Sequence, residues 1–490
     1  MTALLLAGGR LPGRDGTVDV LLYDGVVAEV APAGESSVAG AERVALDGRW
    51  IVPGLYDRHV HLSQWAMVSR RLDVSAAGSA AEAASLVRRA VADGAGEIAG
   101  FGFRDGLWPD APTAELLDTA AGAVPVVLVA ADLHACWLNT AAAARHGVTL
   151  PDDGLLREDA CFALVRELDD VADDVLDTWV GDAARRAAAR GTVGVVDYEM
   201  RWNRDDWQRR AADGAFPLRV AFGIYPQHLD RAIAEGLRTG DTVAGTGGLV
   251  TVGGAKVITD GSLNTRTAWC FDPYPGLEHA EHPHGIPTVP IDRFVPLLRR
   301  AHAGGLTPAV HAIGDRANAD VLDAFEQVGC RGSIEHAQLL RHEDVERFAR
   351  LGIVASVQPE HAMDDRDVAE RYWAGRTDRA FMLAELAAAG VELALGSDAP
   401  VAPLDPWVAI AAAVGRSRDG REPWHPEQSI DVATALAAST GGAGAEVRAG
   451  LPADVAVIEL DPYEASLEEL RAMPVAATFL AGRPTHTTLA

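Results

Sequence analysis

Lysine is almost absent from this chain: of 490 residues 43 are basic, and Lys256 is the sole lysine among them. Cysteine is scarce as well. Cys136, Cys161, Cys270 and Cys330 are scattered with no Cys-x-x-Cys pair, which excludes a disulfide-stapled scaffold and argues for reduced thiols rather than thiolate metal ligands. Positive charge is in deficit, with 70 acidic residues and a formal net charge of −27 spread without long blocks of one sign. That balance excludes nucleic acid and anionic membrane as partners, since both require a basic surface. No apolar run reaches the roughly 18 residues of a membrane span. The apolar start at Met1 is shorter than a signal-peptide core and lacks a basic lead, so a soluble cytoplasmic protein is expected. What the chain does have is 48% hydrophobic residues over 490, enough for a large core and a second small domain.

A single retained lysine invites a chemical reason. Arginine stays protonated in proteins, whereas a buried lysine amine becomes neutral and attacks carbon dioxide, a carbonyl or an aldehyde. Three chemistries compete: a Schiff base, a general base, and a carbamate bridging two metals. The bland alternative is drift from lysine to arginine with one accidental survivor. Context speaks against accident, because Lys256 lies inside the apolar run 249–258 and is followed at once by Thr259-Asp260-Gly261-Ser262.

Histidines supply candidate partners. The run Ile51-Val52-Pro53-Gly54-Leu55-Tyr56-Asp57-Arg58-His59-Val60-His61 ends in His-x-His, and side chains two apart on a strand point the same way, so both imidazoles can meet one ion. Alone, such a pair is more often surface or core histidine. Three further strand-like runs end in metal-capable residues: Leu306 to His311, Gly332 to His336, and Val391 to Asp398.

These segments carry a resemblance. Residues 54–61 (GLYDRHVH), 256–267 (KVITDGSLNTRT), 311–318 (HAIGDRAN), 334–338 (IEHAQ) and 395–400 (LGSDAP) are similar to the amidohydrolase superfamily, and within it to the YtcJ-like group that includes N-substituted formamide deformylases. The likeness runs nearly the full length. It implies that His59 and His61 end barrel strand one, Lys256 strand four as N6-carboxylysine, His311 strand five, His336 strand six, and Asp398 strand eight. A first divalent ion would sit on His59, His61 and Asp398, and a second on His311 and His336, with the carbamate and a hydroxide bridging. Zinc suits such donors, although manganese, iron or nickel would occupy similar sites. Asp398 would shuttle the proton from water to leaving amine, with Lys256 the other catalytic residue.

Organisation agrees. Apolar β-branched runs alternate with helical stretches, giving eight strands: Trp50 to Asp57, Thr192 to Tyr198, Leu218 to Tyr225, Thr251 to Thr259, Thr307 to His311, Ser333 to His336, Ile353 to Gln358 and Glu392 to Ser397. The expected fold class is α/β, a TIM (β/α)8 barrel with ligands at its C-terminal face. Residues 1–48 and 446–490 read as two parts of a small discontinuous β-sandwich, the first with a hairpin turn at Asp24-Gly25. Residues 49–64 would carry barrel strand one, 65–170 an insertion after it, and 171–445 the rest of the barrel; the insertion is too long for a loop of about six residues.

Further candidates for substrate contact are His134 in DLHACWLN, Trp108, Arg266, Asp315, Gln358 and His361. Each has a structural alternative. Trp108 is the sort of residue that packs an insertion core, Asp315 can cap the following helix, and Asp260 can orient a ligand or cap a helix. The expected activity is metal-dependent hydrolysis of a non-peptide C–N bond in a small molecule. An ester or lactone hydrolase, decarboxylase or isomerase on the same scaffold is the alternative, and a binding protein with a decayed site is third. Homo-oligomerisation is compatible with this class, yet no segment declares an interface.

Overall fold

Eight parallel strands pair in sequence order into one sheet: β1 Leu55–Val60, β2 Thr192–Asp197, β3 Arg219–Ile224, β4 Val250–Ile258, β5 Pro308–Ala312, β6 Ser333–His336, β7 Val354–Val357 and β8 Leu393–Leu395. A bridge between Val60 and Ala399, with the Asp398 N–H donating to the His59 carbonyl at 2.7 Å, brings the last strand back to the first. This is the TIM-barrel arrangement expected from the alternating runs. The computed structural model describes residues 3–36, 40–105, 108–130, 135–151 and 153–489.

Alternation along the strands sets the layers. Val310, Ile334, Ala355 and Leu395 face outward and pack against Leu322 and Phe325 of helix α1 (Asp315–Val328) and Phe348 of helix α2 (His342–Leu351), all in one apolar cluster. Their neighbours turn inward and carry the polar residues. Lys256 registers opposite Ala309, His311 opposite Glu335, and Ala312 opposite His336.

Chain contacts divide the molecule into two units, Met1–Leu62 with Gly181–Ala490, and Ser63–Val180. Within the first, the termini add two four-stranded sheets. One orders Val26–Pro32, Val18–Tyr23, Leu4–Gly9, Glu42–Ala45; the other orders Arg483–Thr487, Val475–Leu480, Val455–Ile458, Trp50–Pro53. Leu4, Leu6, Val20, Ile51, Val457 and Phe479 from both sheets share one apolar cluster. The strand expected over Trp50–Asp57 is therefore two strands. Trp50–Pro53 runs antiparallel to Val455–Ile458, and the chain enters the barrel only after Gly54. A Cβ at Gly54 would meet Val193 side-chain carbons at 2.5 and 2.6 Å, so the crossover between sheets needs glycine there.

The second unit, wider than the insertion expected at 65–170, builds its own five-stranded sheet with Val126–Ala130 at the centre, flanked by Ile98–Phe103 and Ala135–Leu138. Its apolar cluster includes Phe103, Val126, Leu128 and Trp137. Cys136 and Cys161, 25 residues apart in sequence, bring their sulfurs to 3.1 Å as buried thiols. Among the described residues no helix is long and apolar enough to cross a membrane.

Candidate metal centre

At the C-terminal ends of the barrel strands, polar residues from distant segments converge. The His59 Nε2 lies 3.5 Å and the His61 Nε2 3.4 Å from Asp398 Oδ1. Lys256 Nζ is 3.4 Å from His59 Nε2 and 4.2 Å from the centre of the Tyr198 ring. His336 packs its ring 5.1 Å from His59 and 4.4 Å from His311.

Each placement has a local cause. His59 and His61 stand two apart at the end of β1 and so share a side, as alternation requires. Asp57, two residues earlier, accepts the backbone N–H groups of His59 at 3.1 Å and Ser397 at 2.9 Å, which fastens β1 to the chain after β8. Asp398 holds a left-handed φ of 55°, and His336 and Ala337 have φ of 76° and 42°. Left-handed non-glycine residues cost about 1–3 kcal/mol each and concentrate at functional sites. At His336 the consequence is direct: strict alternation would send it outward with Ile334, and the positive φ turns it to the mouth beside the inward Glu335.

Glu335 is the functional residue that sequence reasoning missed. Its carboxylate, 1% exposed, accepts from His59 Nδ1 at 2.8 Å, from the Tyr198 hydroxyl at 3.4 Å and from Ser333. Burial alone would raise its pKa, but the His59 hydrogen bond and the Lys256 charge overcome that and hold it at about 2. A carboxylate on Nδ1 fixes the His59 tautomer and leaves Nε2 as a lone-pair donor. The signal in the sequence was a carboxylate within the short strand-like run Ser333-Ile334-Glu335-His336, next to a candidate ligand.

The electrostatics favour neutral imidazoles at His59, His311 and His336 and an anionic Asp398, whereas at His61 burial is outweighed by the hydrogen bond and charge of Asp398, which raise its pKa. Burial, helped by the Lys256 charge, lowers His59, and likewise brings His311 down to about 3. Burial and the neighbouring His311 push His336 well below the usual range. Burial works to raise Asp398, yet His59, the hydrogen bond with His61, and His336 and His361 keep it well below. Lys256 is lowered to about 8, desolvation outweighing attraction to Glu335 and Asp398.

These residues fit divalent cations. His59, His61 and Asp398 present ligand atoms within 4.8 Å of one another, as do His336, His361 and Asp398. The buried His61 Nδ1, His336 Nδ1 and His361 Nε2 have no hydrogen-bond partner. Imidazole nitrogens beside a carboxylate are the donor set of borderline metals.

Other expected residues are placed as follows. Gln358 is buried at the end of β7 and its amide donates to the Ser356 carbonyl at 3.4 Å. Asp260, after β4, accepts the N–H groups of Trp269, Ile313 and Gly314 and so organises the turn after β5. Asp315 opens α1, accepts the Phe271 N–H at 3.0 Å and pairs with Arg379 at 3.4 Å. Arg266 lies half-buried with its guanidinium 5.4 Å from the Tyr372 ring centre. Neither Asp315 nor Arg266 joins the ligand groups. Trp108 packs in its own unit against Phe103 and Trp137 and donates to the Ala77 carbonyl. His134 lies outside the described residues.

Comparison with known proteins defines the class to which the chain belongs. Residues 42–486 match the model of the Amidohydrolase family, and the chain belongs to that family. It is therefore a metal-dependent hydrolase. It is 28% identical over 487 residues to the putative amidohydrolase YtcJ of Bacillus subtilis (strain 168), covering 90% of each chain. It is 26% identical over 535 residues to the N-substituted formamide deformylase of Arthrobacter pascens, covering 98% of this chain and 94% of that one. An uncharacterized metal-dependent hydrolase from Pyrococcus horikoshii OT3 shares the fold, with TM-score 0.79 at 23% identity over 95% of this chain and 99% of that one.

Proposed function

We propose that this amidohydrolase cleaves a non-peptide C–N bond, of amide or N-substituted formamide type, in a small-molecule substrate. The observation that carries the reading is the convergence of His59, His61, Asp398 and Lys256 at the mouth of the barrel. Its similarity over most of its length to a protein named for deformylation of N-substituted formamides supports the bond type. His59, His61 and Asp398 would hold one divalent ion, His311 and His336 the other, and Lys256, carboxylated on Nζ, would link them. Two such ions, zinc by the choice of donors, polarise a carbonyl and make water nucleophilic near neutral pH when bound.

The chain's own residues supply the remainder. Burial of Lys256 brings its amine to about 8, so the neutral form that takes up carbon dioxide is accessible near neutral pH. Glu335 holds His59 in one tautomer. Asp398, kept anionic, accepts a proton from the attacking water and delivers it to the leaving amine. The two terminal sheets act as a β-sandwich bracing the barrel, with domain limits near residues 48, 64, 170 and 445. The buried, reduced thiols are consistent with a reducing, cytoplasmic setting.

The test is a screen of amides, formamides, carbamates, esters and lactones against protein reconstituted with zinc in bicarbonate buffer. Turnover of a formamide or amide, with loss of metal and of activity in Lys256→Ala, is expected. Full metal content and unchanged hydrolysis in that variant would refute the linking role. Borohydride trapping of substrate on Lys256 would replace the carbamate with a Schiff base, and a preference for esters or lactones would replace the bond type.

A further inference from the structure

Asp398 is two-sided. Its Oδ1 faces His59 and His61 at 3.5 and 3.4 Å, while its Oδ2 faces the His361 Nε2 at 4.0 Å. His361 stands in the first turn of the helix Pro359–Tyr372, immediately after β7, and its ring stacks on His336 with centroids 6.0 Å apart and planes 21° from parallel. The residue is buried, and its Nε2 and the His336 Nδ1 have no hydrogen-bond partner. Burying polar nitrogens without a partner is costly, so an arrangement that aims one at a carboxylate oxygen yet stops short of a hydrogen bond points to something held between them. Two ligands bound to one tetrahedral ion at roughly 2.1 Å lie about 3.4 Å apart, the spacing seen on the Oδ1 side and approached on the Oδ2 side.

His311 is disposed differently. Its Nε2 lies 3.4 Å from both the Gly261 carbonyl and Asp260 Oδ1, so that nitrogen already faces oxygen atoms of the chain. His336, His361 and Asp398 bring their ligand atoms within 4.8 Å of one another, and His311 is outside that group.

We infer that His361 is a metal ligand of the second ion position and that Asp398 spans both positions, giving one oxygen to each. This rests on the metal-dependent reading above and adds His361 and the second oxygen of Asp398 to the position assigned there to His311 and His336. Each carboxylate oxygen has two lone pairs, so ligation on both sides leaves Asp398 able to exchange a proton.

The experiment measures bound zinc per chain by elemental analysis after dialysis, and affinity by competition with a chromophoric chelator, for the parent protein, His361→Asn and His361→Gln. Far-ultraviolet circular dichroism confirms that each is folded. The parent should retain about two ions and both variants about one, the lost ion weakened by more than about 100-fold. That exceeds the roughly 10–100-fold effect of removing a group that only orients a ligand. Cobalt substitution gives a second readout: the d–d absorption per chain should fall by about half in the variants. Two tightly held ions in both variants, with KM alone raised, would make His361 a substrate contact and overturn the inference. A parent that binds one ion would overturn the two-position inference alone, whereas a parent that binds none would remove the metal reading itself.

Discussion

Three donors converge on the Glu335 carboxylate, and one of them, His59 Nδ1, is two ring bonds from the nitrogen that faces Lys256 and Asp398. Replacing Glu335 by glutamine keeps the shape but removes the charge that makes Nδ1 the protonated nitrogen. Zinc affinity should then fall by about 10–100-fold while the fold persists. Chelator competition measures this, and an unchanged affinity would show that His59 needs no such partner. The same residue marks how far the sequence could be followed. His59, His61, Lys256 and Asp398 were legible because each lies within or at the end of a strand-like run, in a chain with one lysine. Glu335 was not, because whether it or His336 points inward depends on the φ of 76° at His336, a feature that no propensity encodes. His361 was legible only as a candidate for substrate contact, since its approach to Asp398 comes from the first turn of a helix, which strand alternation does not describe.

Elements meet most tightly where β8 returns to β1. A Cβ on Gly396 would lie 2.8 Å from the His59 nitrogen and 3.0 Å from both Asp57 Oδ1 and His59 Cβ. Two of these atoms belong to the backbone or the side-chain root, so they cannot rotate away. Gly396→Ala should therefore push the chain leading to Asp398 off β1, at a cost of about 1–3 kcal/mol, and weaken zinc binding at the proposed site of His59, His61 and Asp398. Apparent denaturation midpoint and zinc content report the two effects, and a variant with normal values for both would contradict the close approach. Strand identity was readable here: β2 to β8 fall within a residue or two of their apolar runs, and only β1 departs further. The Asp24-Gly25 hairpin was readable too, since both residues adopt the left-handed φ, 51° and 77°, that a two-residue turn requires. The break at Gly54 was hidden, because Trp50–Asp57 is uniformly extended and only the antiparallel partner Val455–Ile458, near the other end of the chain, divides it between two sheets.

On the scale of the whole molecule, the barrel and the terminal sheets of its unit are joined by a buried carboxylate. Asp454, next to Val455–Ile458, receives Arg219 of β3 through Nε at 2.6 Å and a second guanidinium nitrogen at 3.0 Å, and also accepts the Ala481 N–H at 2.7 Å. One side chain thus ties the third barrel strand to two segments of the C-terminal sheet. Arg219→Met keeps the aliphatic stem but leaves Asp454, 8% exposed, with its charge uncompensated. Removing one partner of a hydrogen-bonded pair at a buried acceptor costs about 1–3 kcal/mol, so the urea midpoint should fall by a corresponding amount. The proposed ion site lies at the opposite ends of the strands, since Arg219 begins β3 and Lys256 stands near the end of β4. Zinc content and turnover measured below the transition should therefore match the parent protein. A loss of zinc in folded Arg219→Met would mean that the terminal sheets set the geometry of the barrel mouth, and an unchanged midpoint would mean that the apolar cluster shared by the two sheets holds the ends in place without this ion pair.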